Sequence, residues 1–200
     1  MTMHDLPFTG ITSQLRAQAH KLAHFAARLV LALAVALPLT SPVQAEEANE
    51  YVVKAAFIYN FAKFTTWPAE SFSDPAAPID LCVIGKQEFG TAFDSVQGKS
   101  VGGRTVNVKY LNTLKAQDKC HVVFIARSEQ SRVPRIVKAN QTIQALTVSD
   151  VDGFVEEGGM IRLVREPDDR ISFEINPRTA EEAGLKLSSR LLNLAKRIVN

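Results

Sequence analysis

Two short stretches of the chain are almost continuously apolar, Ile79-Asp-Leu-Cys-Val-Ile84 and His121-Val-Val-Phe-Ile-Ala126. Strands covered on both faces of a sheet read this way, so both are predicted as central strands. Arg104 to Val108 alternates like a strand exposed on one face, and Ile143 to Val148 reads as a further strand. Met160 to Val164 and Ile171 to Ile175 flank Pro167-Asp168-Asp169, which predicts a hairpin turn. A long first helix is predicted from Glu50 to Trp67, ended by Pro68. Shorter helices are expected over Glu88–Val96 and Glu129–Ala139, and from Asn176-Pro177 to Gly184. Ser188 is the expected cap of a C-terminal helix, because Leu191, Leu192, Ala195, Ile198 and Val199 recur at helical spacing. This order predicts a single layered α/β domain, with a mixed sheet flanked by helices, a long apolar N-terminal helix and a C-terminal helix.

The first 45 residues read as a signal peptide. A basic region ends at Arg28, Leu29 to Leu39 carries no charge, and Val43-Gln44-Ala45 supplies small residues before Glu46. A retained anchor is the weaker reading, since eleven helical residues span about 16 Å of a roughly 30 Å hydrocarbon core. The mature chain is then 46–200, and its compartment is outside the cytoplasmic membrane.

This division changes the meaning of the net charge of +2. Setting aside Arg16, Lys21, Arg28 and Asp5 leaves 20 basic and 20 acidic side chains after position 45. No field that would gather nucleic acid is expected from such a balance. Two cysteines in an exported chain, Cys82 and Cys120, favour one disulfide, with two buried thiols as the alternative. A metal site is a poor fit, as His121 is the one imidazole after position 45.

Candidate chemistry is sparse. Gly98-Lys99-Ser100 resembles a piece of a phosphate loop but precedes a strand rather than a helix. Gly158-Gly159 also precedes a strand, and suits a tight turn or a close backbone approach. Ser149, Asp150 and His121 can be drawn as a triad on paper, yet no nucleophile elbow accompanies them. Glu174 lacks a second carboxylate for glycosidase chemistry. Arg162, Arg165 and Arg170 are read as a solvated hairpin face, with an acidic partner as the alternative. No enzyme and no cofactor is expected. Asp150, Arg104 and Glu174 are the residues expected to line a crevice if the protein senses a small molecule.

The aromatic set on the first helix is more distinctive. Phe57, Tyr59, Phe61, Phe64 and Trp67 accompany apolar neighbours that wrap too far round for one core face, while Lys54, Asn60 and Lys63 form no clean polar stripe. Either a partner chain covers the surplus, or other loops of the same chain do. Phe57, Phe61, Phe64 and Trp67 are the candidate interface, as buried aromatic anchors are common in protein contacts. Leu185, Leu191 and Leu192 form a second candidate surface.

Seven segments together resemble the YfiR family of exported proteins. They are VKAAFIYNFAKFTTWP (53–68), LCVIG (81–85), CHVVFI (120–125), LTVSD (146–150), GGMI (158–161), FEIN (173–176) and GLKLSSRLLNLAKRI (184–198). The resemblance implies a non-catalytic periplasmic repressor that forms homodimers. It implies binding to the periplasmic sensor domain of an inner-membrane diguanylate cyclase, release by an outer-membrane lipoprotein partner, and lower cyclic di-GMP with less biofilm. A small-molecule sensor, including one serving a histidine kinase, is the other reading. Cys82 and Cys120 match the family's disulfide positions. A second pair found in some members is absent, because no cysteine follows Cys120.

Overall fold

The computed structural model describes residues 42–199 except 86–88, 90 and 116, with side chains from Glu50 onward. The expected signal peptide lies outside the described residues up to position 41. Among the described residues, no helix is long and apolar enough to cross a membrane.

A mixed, curled sheet organises the chain. Its strands are β2 (Ile79–Ile84), β3 (Ser100–Val101), β4 (Arg104–Leu111), β5 (Val122–Ile125), β6 (Leu146–Ser149), β7 (Ile161–Arg165), β8 (Ile171–Ile175) and β10 (Arg197–Ile198). They lie in the order β10-β8-β7-β6-β5-β2-β4-β3. Strands β4, β2, β5, β6 and β7 run parallel, and β8 turns back against β7. Every residue of β2, β5 and β6 is buried, which is why β2 and β5 carry apolar runs. The chain moves from β2 to one side, then crosses to β5 and continues to the other. The switch point of the topology therefore lies between β2 and β5.

Helix α1 (Pro42–Lys63) packs on this sheet through Tyr51, Ala55, Ile58, Phe61 and Ala62, a stripe at helical spacing. The other helices are shorter: α2 (Val133–Ile143), α3 (Pro177–Glu182) and α4 (Ser189–Leu194). Asn176 and Ser188 cap α3 and α4 by accepting from the backbone N–H of Thr179 and Leu191. A separate two-stranded ribbon joins β1 (Thr65–Thr66) to β9 (Lys186–Leu187).

The expected long terminal helices need correction. The N-terminal helix is not apolar throughout, since its stripe includes buried Lys54 and its outer side carries Asn60 and Lys63. It ends at Lys63, where the chain turns into β1, so Pro68 does not terminate it. The C-terminal helix is replaced by six-residue α4 and by edge strand β10. The open edge of β8 takes the chain into extended pairing: Lys196 N–H donates to Phe173 O and Val199 N–H to Ile175 O, both at 2.8 Å. Arg197 secures the register through Glu174, its partner across the pair. Sheet pairing and this ion pair outweigh the helical spacing of the apolar residues. The helix expected over Glu88–Val96 is a single 3-10 turn at Ala92–Ser95 among the described residues.

Cys82 in β2 and Cys120 just before β5 form a disulfide, with Cα atoms 5.8 Å apart. The two glycines before β7 have different reasons to be there. Gly158 adopts φ +90°, whereas a Cβ on Gly159 would stand 2.3 Å from the ring of buried Phe154.

Candidate functional site

The aromatic residues of α1 divide between core and surface. Phe61 is buried, and Phe57 and Phe61 both pack on Phe173 of β8. On the opposite flank, the Tyr59 hydroxyl donates to Ser100 O at 2.8 Å. Loops and strands of the same chain thus cover both flanks, leaving Val52 and Val53 exposed. Phe57, Phe64 and Trp67 are half-buried. The Arg190 guanidinium lies 5.6 Å over the Phe64 ring. Leu185 and Leu191 are buried in the core, while Leu192 is half-buried against it. Phe64, Leu187 and Leu192 therefore present partly covered apolar surface around the β1–β9 ribbon.

At the N-terminal ends of the parallel strands, Trp67 joins a different cluster. Its indole N–H donates to His121 O at 3.0 Å. The Phe72 ring stacks on the His121 imidazole at 4.5 Å, and the Arg104 guanidinium sits 3.7 Å from the Phe72 centroid. Imidazole Nδ1 accepts from Asp80 N–H at 3.0 Å, so Nε2–H donates to Ser71 O, also at 3.0 Å. Burial pushes the pKa of His121 down, outweighing the upward pull of the Ser71 hydrogen bond and the Asp80 charge. Both ring nitrogens are committed to backbone, which makes this a structural histidine. Beside it lies a cavity of about 380 Å³ that reaches Cys120.

At the opposite, C-terminal ends, β5, β6 and β7 deliver Arg127, Ser128, Asp150 and Arg165 beneath Glu50 and Lys54 of α1. These groups line a polar chamber of about 330 Å³. The Lys54 ammonium lies 2.5 Å from both Asp150 Oδ2 and Glu50 Oε1, and Arg165 reaches Glu50 at 3.1 Å. Gly85, at the end of β2, lets the neighbouring loop approach closely, since a Cβ there would stand 2.6 Å from Ala126 Cβ. Of this chamber's residues, sequence reasoning placed only Asp150 at a crevice. One further signal was present: Lys54 stands three residues after Tyr51 and four before Ile58, as a lone cation on the apolar stripe.

The other expected constellations are not assembled. His121 and the Ser149-Asp150 pair lie at opposite ends of the parallel strands, and the Ser149 hydroxyl donates to Ile125 O. Arg104 donates to Asp74 O and Ala77 O, Glu174 pairs with Arg162 and Arg197, and Asp150 meets Lys54. They form no common crevice. Gly98 belongs to the turn leading into the β3–β4 hairpin. Arg162, Arg165 and Arg170 each meet a carboxylate, including Arg162 with Asp152.

Comparison with known proteins bears on identity. Residues 51–196 match the family model DUF4154, described as YfiR/HmsC-like. No curated protein matches the sequence. Among solved structures, a conserved domain protein from Vibrio cholerae is similar at 12% identity and TM-score 0.44. The ABC domain in complex with L-Trp from Streptococcus pneumoniae is similar at 16% identity and TM-score 0.44. Each alignment covers 60% of this chain and 55% of the other, so the chain spans about half the length of those structures. With its match running through nearly all the described residues, the chain belongs to the YfiR/HmsC-like family.

Proposed function

We propose that this protein is a periplasmic repressor. It binds the periplasmic sensor domain of an inner-membrane diguanylate cyclase, stabilises the inactive state and so lowers cyclic di-GMP. The family match over residues 51–196 carries this reading. The Cys82–Cys120 disulfide supports it, because such bonds persist in oxidising compartments such as the periplasm. Repression is a difference in affinity between two sensor states. Moving a sensor from 99:1 active to 1:99 needs a preference of about 10⁴-fold for the inactive state.

The half-buried aromatic and leucine side chains Phe57, Phe64, Trp67 and Leu192 form the contact surface, over a scaffold that includes Phe61, Leu185 and Leu191. Homodimerisation and sequestration by an outer-membrane lipoprotein belong to the same reading. Capture of the chain by a purified, immobilised cyclase sensor domain tests it. The variant Phe64→Ser/Leu192→Ser, with an unchanged circular dichroism spectrum, is expected to weaken capture about tenfold or more. Equal capture by variant and wild type contradicts this surface. A second reading, a small-molecule sensor, is favoured by the polar chamber under α1.

A further inference from the structure

The chamber at the C-terminal ends of β5, β6 and β7 holds one cation that no carboxylate meets among the described residues. Its described ionic lining is Lys54, Arg127 and Arg165 against Glu50 and Asp150. Lys54 meets both carboxylates, and Arg165 is shared between Glu50 and Asp169, which lies outside the lining. Arg127 meets neither. Its Nε and Nη2 donate to the main-chain O of Asp150, at 3.4 and 3.2 Å, and among the described residues no carboxylate pairs with it. The backbone thus holds one edge of a guanidinium in place and leaves the rest of the fork at the chamber. Arg127 is exposed, and the edge of its guanidinium that the Asp150 carbonyl does not take suits a carboxylate or phosphate group, whose paired oxygens fit two neighbouring N–H groups.

Position agrees with charge. Open α/β sheets receive ligands outside the carboxyl ends of their strands, near the topological switch point. The chamber lies at three successive strand ends and next to the switch between β2 and β5. Its volume of about 330 Å³ is at the small end of the roughly 300–1,000 Å³ typical of ligand pockets.

We infer that this chamber is a binding site for a small organic anion, whose carboxylate or phosphate group seats on Arg127 beside Lys54. The ligand bridges the first helix to the ends of β5 and β6. This inference stands apart from the repressor reading, because anion binding is read on the isolated chain and needs no sensor domain.

The test is a titration of the ¹⁵N-labelled, disulfide-bonded protein, comprising residues 46–200. L-lactate and inorganic phosphate are the probes, added at constant ionic strength set with sodium chloride. The backbone amides of residues 127–128 and 150–151 are expected to shift saturably with at least one probe. Which probe saturates them distinguishes a carboxylate ligand from a phosphate ligand. Arg127→Gln is expected to raise the apparent Kd about tenfold or more, as a charge-assisted hydrogen bond is lost. Arg135→Gln, which removes the same charge from the exposed side of α2, is expected to bind like wild type. Arg127→Lys keeps the charge without the fork and is expected to bind about tenfold more weakly should Arg127→Gln fail to fold. Saturation by neither probe overturns the inference. So do shifts scattered over the surface, or equal affinity in the folded Arg127 variants.

Discussion

Lys54 of α1 and Asp150 at the end of β6 meet at 2.5 Å, although 96 residues separate them, and each is 2% exposed. The second oxygen of Asp150 is buried with no hydrogen-bond partner among the described residues. Removing one member of such a pair strands a charge, whereas replacing both with apolar groups avoids that penalty. Glu50 still pairs with Lys54 when Asp150 is removed, so the stranded charge is that of Asp150: Lys54→Met is expected to lower unfolding free energy by about 3 kcal/mol. Lys54→Met/Asp150→Leu is expected to lose less than the two single variants summed, by about 1 kcal/mol or more. Urea unfolding of the four proteins checks this, and additive losses would show the pair to be uncoupled.

The disulfide closes a loop with a sequence separation of 38. A loop of that length corresponds to about 4 kcal/mol in the chain-entropy account. Cys82→Ser/Cys120→Ser is expected to lower the urea midpoint accordingly. Adding reductant is expected to shift the wild type toward the variant and leave the variant unmoved.

Stability should depend on pH in two separate windows. His121 has a folded pKa below its ordinary 6.5, so the unfolded chain protonates first as pH falls. Its contribution is full above pH 6.5 and declines as pH drops from there toward the folded value. The hydrogen bond from Arg197, supported by Arg162, holds the carboxyl of Glu174 below its ordinary 4.5. That contribution is retained above pH 4.5 and lost as pH falls through the lower, folded value. Urea unfolding is expected to show a lower unfolding free energy at pH 5.5 than at pH 7.5. His121→Gln is expected to flatten that difference and leave the loss below pH 4.5 in place.

Gly159→Ala would drive a methyl group into the Phe154 ring, which is fully buried. Overpacking of this kind costs about 1–3 kcal/mol. Adding Phe154→Leu is expected to recover part of the loss, because it removes the atoms in conflict. Thermal unfolding of the single and double variants reads this directly.

Legibility in the sequence followed the range of the interaction. The apolar runs of β2 and β5, the β7–β8 hairpin and the Asn176 and Ser188 caps are local signals, and the structure places them as expected. Strand β10 was hidden because Leu191, Leu192, Ala195 and Ile198 are spaced like a helix, while the edge that claims Arg197 and Ile198 lies over 20 residues away in β8. The apolar surplus of α1 was visible, but its division between Phe61 in the core and Phe64 at the surface depends on Phe173 and the β1–β9 ribbon. The chamber depends on residues from 50 to 165 converging, and only Asp150 at a strand end and Lys54 on the apolar stripe hinted at it.

Repression of a diguanylate cyclase would be read in the cellular level of cyclic di-GMP. Deleting the gene is expected to raise that level, and restoring the wild-type chain to return it to baseline. An unchanged level after deletion, with the cyclase present and expressed, would contradict the account.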